Sequence, residues 1–184
     1  MALVESNTSE LGAKAPDFRL LDTITAQHKG LDELQGENGT VVMFICNHCP
    51  YVKHVNKGLV AIAKEYQSKG IAFIAISSND VKSHPEDGPV LMKKNAEEQG
   101  YPFPYLYDED QSVAKAYDAA CTPDIYLFDA DLKAVYQGQL DDSRPGNDIP
   151  VTGKDLKSAM DALIDKGEPL SNQKPSIGCS IKWK

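Results

Sequence analysis

Of the residues in this 184-residue chain, four cysteines have the types and spacing to do chemistry, and two of them, Cys46 and Cys49, stand two residues apart in VVMFICNHCPYVKHV. A pair at that spacing admits three chemistries: a dithiol that cycles with a disulfide, one half of a metal site, or a thiol that attacks a peroxide. Zinc sites normally show a second CxxC or an HxxxH, and here only the isolated Cys121 and Cys179 remain. The spacing therefore favours redox chemistry over metal. Four cysteines in so long a chain do not make a disulfide framework.

Composition narrows the setting. A charge of -8 argues against a nucleic-acid partner, which would need a concentrated basic face. The opening residues MALVESNTSELGAKAP carry no basic n-region and no apolar h-region, and no run of about eighteen apolar residues follows, so the expectation is a cytoplasmic protein without a membrane partner. In that reducing compartment Cys46 and Cys49 are better suited to catalysis or metal than to stapling. With 41% apolar residues and 25% charged ones, the chain has the composition of one ordinary globular domain.

The elements around the pair follow from periodicity. TVVMFI from Thr40 is short, β-rich and apolar throughout, as a buried central strand is. After Pro50, which suits a first helical turn, apolar residues fall at Val52, Val55, Leu59, Ile62, Ala63 and Tyr66, one face of a helix that Gly70 stops. IAFIAISS from Ile71 is a second buried strand, followed by the breaker-rich loop DVKSHPEDGP and a helix over VLMKKNAEEQG. PFPYLYD reads as a short edge segment, DQSVAKAYDAA as a helix, and DIYLFD with KAVYQGQL as a hairpin about Ala130 and Asp131. TGKDLKSAMDALIDKG closes the pattern as a helix with Thr152 as N-cap, Asp155 in its first turn and Gly167 past its end. This order predicts an α/β domain with a mixed central sheet flanked by helices. DDSRPGNDIP is a long connection, either functional or a tolerated surface insertion.

A CxxC between a central strand and a helix start, with CTPD at Cys121 to Asp124 before a hairpin strand, resembles the thioredoxin fold and its cis-proline loop. From residue 15 to about 167 the chain looks more closely like the peroxiredoxin-like branch, alkyl hydroperoxide reductase and thiol-specific antioxidant, through APDF, the inserted helix and DQSVAKAYDAACTPDIYLFD. The resemblance implies one domain over residues 1–184: an N-terminal extension, a core over 15–167, a helical insertion after the second core strand, and a C-terminal tail over 168–184. It also implies a cis Thr122-Pro123 bond beside the CxxC, with the Thr122 backbone presented to an extended substrate.

On that pattern Cys46 is the attacking thiolate, placed at the positive end of the helix macrodipole, with His48, Lys53, His54 and Lys57 nearby. Cys49 is the resolving thiol. His48 is read as a tuner of the pair, and its likeness to the more oxidising superfamily members implies a potential above thioredoxin's roughly -270 mV. His54 reads as solvated, and His28 and His84 carry no signal. Cys121 and Cys179 are each open between an additional redox thiol and a packed apolar filler, Cys179 sitting beside the anchors Ile177, Ile181 and Trp183.

Two features depart from the families resembled. The peroxidatic cysteine aligns with Cys49, but Cys46 replaces the expected threonine, and neither Arg19 nor Arg144 lies where a peroxide-polarising arginine is expected. Arg144 either reaches the site from its loop or pairs with Asp141, Asp142 or Asp148. No carboxylate lies in Thr40 to Ile45, where thioredoxins carry a proton relay. The expected function is thiol-disulfide exchange through Cys46 and Cys49 in redox homeostasis. The alternatives are an antioxidant thiol peroxidase with Cys49 peroxidatic, and a non-catalytic metal-binding or redox-sensing protein built on Cys46, Cys49, Cys121 and Cys179. Expected partners are a protein or small-molecule disulfide or a peroxide, with a thioredoxin or glutathione system as reductant; no cofactor is called for.

Overall fold

The computed structural model describes residues 3–166 and 168–184. In chain order the elements are β1 (Leu3–Glu5), β2 (Arg19–Asp22), β3 (Gln27–Gly30), α1 (Leu31–Leu34), β4 (Gly39–Phe44), α2 (Pro50–Gln67) and β5 (Ile71–Ser77). A 3-10 turn at Pro85–Asp87, α3 (Pro89–Gln99), β6 (Tyr105–Tyr107), α4 (Ser112–Ala116), β7 (Cys121–Thr122) and β8 (Asp124–Asp129) follow. The chain ends with β9 (Ala134–Gly138), α5 (Lys154–Ile164) and β10 (Ile177–Ser180).

The main sheet has the order β3-β2-β6-β5-β4-β8-β9, parallel where β4 meets β5 and β5 meets β6, and antiparallel elsewhere. Every residue of β4 is buried, because the sheet is covered on both faces. Strand alternation sends Val41, Met43 and Ile45 to the face covered by Val52, Val55, Leu59 and Ile62 of α2, and Val42 and Phe44 to the face where Phe18, Leu31 and Tyr117 pack. All six positions that define the apolar stripe of α2 are buried, so this helix is fixed to the sheet along its length.

Three local expectations are corrected, and a fourth falls outside the described residues. β6 is interior, hydrogen-bonded to β5 on one side and β2 on the other, because the segment around Arg19 folds into a β2–β3 hairpin and covers it. α2 ends at Gln67 with Ser68 as its C-cap, and Gly70 (φ +80°) begins the turn into β5. α5 is capped by Gly153 rather than Thr152: Gly153 has φ +68°, and a Cβ there would lie 2.1 Å from Ile62 Cδ1. The N–H groups of Thr152 and Gly153 instead donate to Asp141 Oδ2, at 2.7 and 2.6 Å. Gly167, expected past the end of α5, lies outside the described residues.

The aperiodic tail is the larger surprise. Its β10 is the centre of a second, three-stranded antiparallel sheet of order β1-β10-β7, which brings both ends of the described chain to the Cys121–Thr122 segment.

Candidate active site

The site is built where β4 runs out and α2 begins. Cys49 is the N-cap residue of α2 and Pro50 occupies the first turn, so the unpartnered N–H groups of the helix start face the Cys49 side of the loop. Cys46 lies one turn earlier in the connection from β4. The Thr122–Pro123 bond is cis, as the resemblance implied, and Thr122 reaches both sulfurs. Its Oγ1 is 3.5 Å from Cys46 Sγ, and its carbonyl oxygen lies 3.2 Å from Cys49 Sγ. Cys46 is 1% exposed and Cys49 fully buried, so the sulfurs are closed off from solvent.

The charge distribution separates the two cysteines. Cys49 is lowered to about 4, first by the hydrogen bond from Cys46, against the cost of burial, and then by Cys179, the Thr122 side chain and the Val52 N–H. Cys46 is pushed well above the ordinary thiol range, chiefly because it is the donor to Cys49, then by burial and by the negative charge of Asp87. This arrangement favours the thiolate on Cys49, between two cysteines whose order of attack the sequence leaves open. The helix start and most donors converge on Cys49, while Cys46 stands beside a carboxylate.

Asp87 is the residue that sequence reasoning missed. It comes from the breaker-rich loop and is fully buried against the CxxC loop. Its Oδ1 accepts from the N–H groups of Asn47 and His48, at 2.8 and 3.3 Å. Its Oδ2 accepts from His48 Nδ1 at 2.6 Å and Asn79 Nδ2 at 2.8 Å. Asn47 is held further by Glu86 O at 2.8 Å and by the Tyr105 hydroxyl at 3.2 Å. The absence of a carboxylate from β4 is thus offset by one from the insertion. Nothing in HPEDGP marks Asp87 out from its acidic neighbours, so this contact has no signal in sequence.

His48 is therefore oriented as a tuner would be, with its ring stacked on His84 at a centroid distance of 4.7 Å. His84, which carried no sequence signal, forms one wall of the site. His54 is not simply solvated: its Nε2 lies 2.7 Å from Ser143 Oγ and ties α2 to the long connection. Among the described residues, the group that could hold a metal ion is Cys46, His48 and Asp87, with ligand atoms within 4.8 Å of one another. That set differs from the cysteine cluster that the metal-binding alternative drew on.

The remaining cysteines part company. Cys121 is buried, with its thiol directed at Pro123 O, and burial followed by the charge of Asp124 pushes its ionisation up. It packs as filler. Cys179 instead stands with its Sγ 2.8 Å from Cys49 Sγ, on the strand that pairs with Thr122. Burial and its bond to Cys49 push the Cys179 thiol up to about 12.

Arg144 forms no ion pair among the described residues. Its Nη1 donates to Asp141 O and Ser143 O at 2.6 and 2.7 Å, and its Nη2 to Gln139 Oε1 at 2.5 Å. Asp142 pairs with Lys154 and Lys174 instead. The guanidinium borders a hollow of about 290 Å³ of empty space that also touches Tyr51, Val55, Pro123 and Ile177. The long connection thus does approach the site, beside the cis-proline loop. Arg19 pairs with Glu33 at the surface.

A thiol pair at a helix start beside a cis-proline, on a mixed sheet covered by helices, defines a thioredoxin-fold redox protein. Residues 11–137 match the AhpC/TSA family, and the chain belongs to it. An uncharacterised conserved protein from Geobacillus kaustophilus is 60% identical over 100% of this chain and 97% of its own, with a TM-score of 0.98. The thioredoxin domain of a thiol-disulfide oxidoreductase from Bacteroides vulgatus shares the fold at a TM-score of 0.61 and 19% identity, covering 82% of this chain and 98% of that one. The thiol-disulfide oxidoreductase ResA of Geobacillus kaustophilus is 24% identical over 138 residues, 74% of each chain.

Proposed function

We propose that the chain is a thiol-disulfide oxidoreductase that cycles the Cys46–Cys49 dithiol and disulfide, acting in the cytoplasm on protein or small-molecule disulfides. The observation that carries this reading is that both sulfurs stand at the start of α2 against the cis-proline loop, with Cys46 Sγ 3.5 Å from Thr122 Oγ1 and Cys49 Sγ 3.2 Å from Thr122 O. The likeness to ResA supports the same class of reaction.

In this cycle the Cys49 thiolate attacks one sulfur of a substrate disulfide. A Cys49–substrate bond forms, the substrate S–S bond breaks, and the departing thiolate takes a proton. Cys49 is now neutral, so the chief cause of the high Cys46 ionisation is gone. Cys46 passes its proton toward the adjacent His48–Asp87 pair and attacks Cys49 Sγ. The Cys46–Cys49 disulfide forms and the second substrate thiolate leaves. A thiol reductant returns the pair to the dithiol.

Disulfide turnover by wild type, Cys46→Ser and Cys49→Ser tests the assignment. Cys49→Ser is expected to abolish attack, and Cys46→Ser to form a mixed disulfide on Cys49 that Cys46 can no longer resolve. A mixed disulfide trapped on Cys46 in Cys49→Ser would overturn it.

A peroxidase reading rests on one observation, that the thiol with the lowered ionisation is the one at the peroxidatic position. Against it, the Arg144 guanidinium is engaged with Gln139, Asp141 and Ser143 and is not aimed at an O–O bond beside Cys49. Peroxide consumption that survives Cys46→Ser at the wild-type rate would favour this second reading.

A further inference from the structure

β10 occupies a position with a meaning of its own in this fold. The open edge of the cis-proline segment β7 is where an extended disulfide substrate would add as a strand, and here that edge is filled by the chain's own tail. Cys179 pairs with Thr122 and Ser180 with Cys121, in antiparallel register. The approach is close: a Cβ on Gly178 would lie 2.0 Å from Thr122 O and 3.3 Å from Pro123 Cδ, so only glycine fits there. β1 pairs along the outer side of β10 and holds it in place. The residue that this pairing delivers to the sulfur is a cysteine, 2.8 Å from Cys49 Sγ and buried with it.

We propose that Cys179 is a third redox thiol, carried by β10 in the position of a substrate strand, and that it exchanges with Cys49 to form an alternative Cys49–Cys179 disulfide. The proposal rests on the oxidoreductase reading above and adds a second resolving partner for Cys49, from the tail.

The chemistry balances without a further oxidant. From the Cys46–Cys49 disulfide, deprotonated Cys179 attacks Cys49 Sγ. The Cys179–Cys49 bond forms, the Cys49–Cys46 bond breaks with its electron pair on Cys46 Sγ, and Cys46 takes up the proton that Cys179 gave up. From a substrate mixed disulfide on Cys49 the same attack expels the substrate thiolate. In either case one disulfide replaces another, and the electrons were already taken up by the original substrate disulfide. The tail is therefore a tethered substrate, present at high effective concentration, that competes with Cys46 for Cys49.

The test uses the full chain oxidised by an excess of glutathione disulfide, followed by acid quenching, alkylation of the remaining thiols and peptide mapping by mass spectrometry. In Cys46→Ser the expected product is the Cys49–Cys179 disulfide, with a glutathione adduct on Cys49 that decays about tenfold or more faster than in Cys46→Ser/Cys179→Ser. Cys46→Ala with and without Cys179→Ser provides a second pair should the serine variants fold poorly. A persistent glutathione adduct on Cys49, with Cys179 fully alkylated and the same lifetime in single and double variants, would overturn the proposal while wild type still forms Cys46–Cys49. If wild type forms neither a disulfide nor an adduct, the oxidoreductase reading falls and the proposal falls with it.

Discussion

Asp87 Oδ2 lies 2.6 Å from His48 Nδ1, although the two residues are 39 positions apart in the chain. The contact ties the insertion to the CxxC loop and places a negative charge next to Cys46. Since that charge helps to hold the Cys46 proton, Asp87→Asn is expected to lower the Cys46 ionisation and speed its alkylation at mildly alkaline pH. The same change leaves His48 and Asn79 with a poorer acceptor, at a cost of about 1–3 kcal/mol in unfolding free energy. Peptide-resolved alkylation rates check the first expectation; a slower Cys46 would contradict it.

Cys49 sets a pH dependence whose direction can be worked out. Its folded value, about 4, lies below the ordinary thiol value of 9.0, so its contribution to stability is complete above 9.0 and is lost as pH falls toward 4. Cys46 works the other way: its folded value is raised, so its contribution is complete below 9.0 and is lost as pH rises through that folded value. The stability difference between reduced wild type and Cys49→Ser is therefore expected to widen from pH 4 toward pH 9, and thiolate absorbance assigned to Cys49 to persist into acid. Chemical denaturation across pH and an ultraviolet titration measure both. A Cys49 that titrates near 9.0 would defeat the expectation.

Asp124 is buried beside Cys121, and burial raises its carboxyl to about 6 from 3.8. The folded state thus favours the protonated form, and the associated stability, complete below 3.8, is lost as pH rises through about 6. At about 1.4 kcal/mol per unit this amounts to about 3 kcal/mol between the limits. Asp124→Asn, which cannot ionise, should flatten the stability profile between acid and neutral pH. An unchanged slope in denaturant titrations would show that the charge is accommodated without penalty.

Gly178→Ala is expected to push β10 off the cis-proline loop, because the added Cβ would meet the Thr122 backbone rather than a side chain that can move. Overpacking of this kind costs about 1–3 kcal/mol. Hydrogen exchange should quicken in β10 and β1 while the main sheet stays protected, and Cys49 should alkylate faster as its cover loosens. A uniform loss of protection would point to global unfolding instead.

A favoured thiolate on Cys49 stabilises the reduced form, so the Cys46–Cys49 couple is expected to lie above thioredoxin's roughly -270 mV. Equilibration against glutathione at fixed pH measures the potential. A value well below that mark would contradict the ionisation assigned to Cys49.

How much was legible in the sequence can be judged from single residues. Periodicity located β4, α2 and β5 because each repeats one burial pattern over six or more residues, and the stripe from Val52 to Tyr66 is buried position for position. The CxxC came from types and spacing, and the role of Thr122-Pro123 from the family resemblance. What failed was what depends on long-range approach. Asp87 is one acid in a loop of breakers until the fold brings it to His48, and Cys179 sits in a tail with no period until β10 pairs with β7. The choice between Cys46 and Cys49 stays open in the sequence for the same reason, since Thr122, Asp87 and Cys179 reach the pair from distant segments.

The three-stranded β1-β10-β7 sheet has a mechanical consequence. Leu3 pairs with Cys179 and Glu5 with Ile177, so the outward ends of β1 and β10 lie side by side. Tension applied through the two ends of the chain would load these strand pairs one after another, like a zip, and not all together in shear. On the β1 side the Leu3–Cys179 pair would part first, whereas beyond β10 the backbone is held by Ala120 O, Asn79 Oδ1 and the Asp80 N–H, so load from that end meets the loop after β5 before the sulfur cluster.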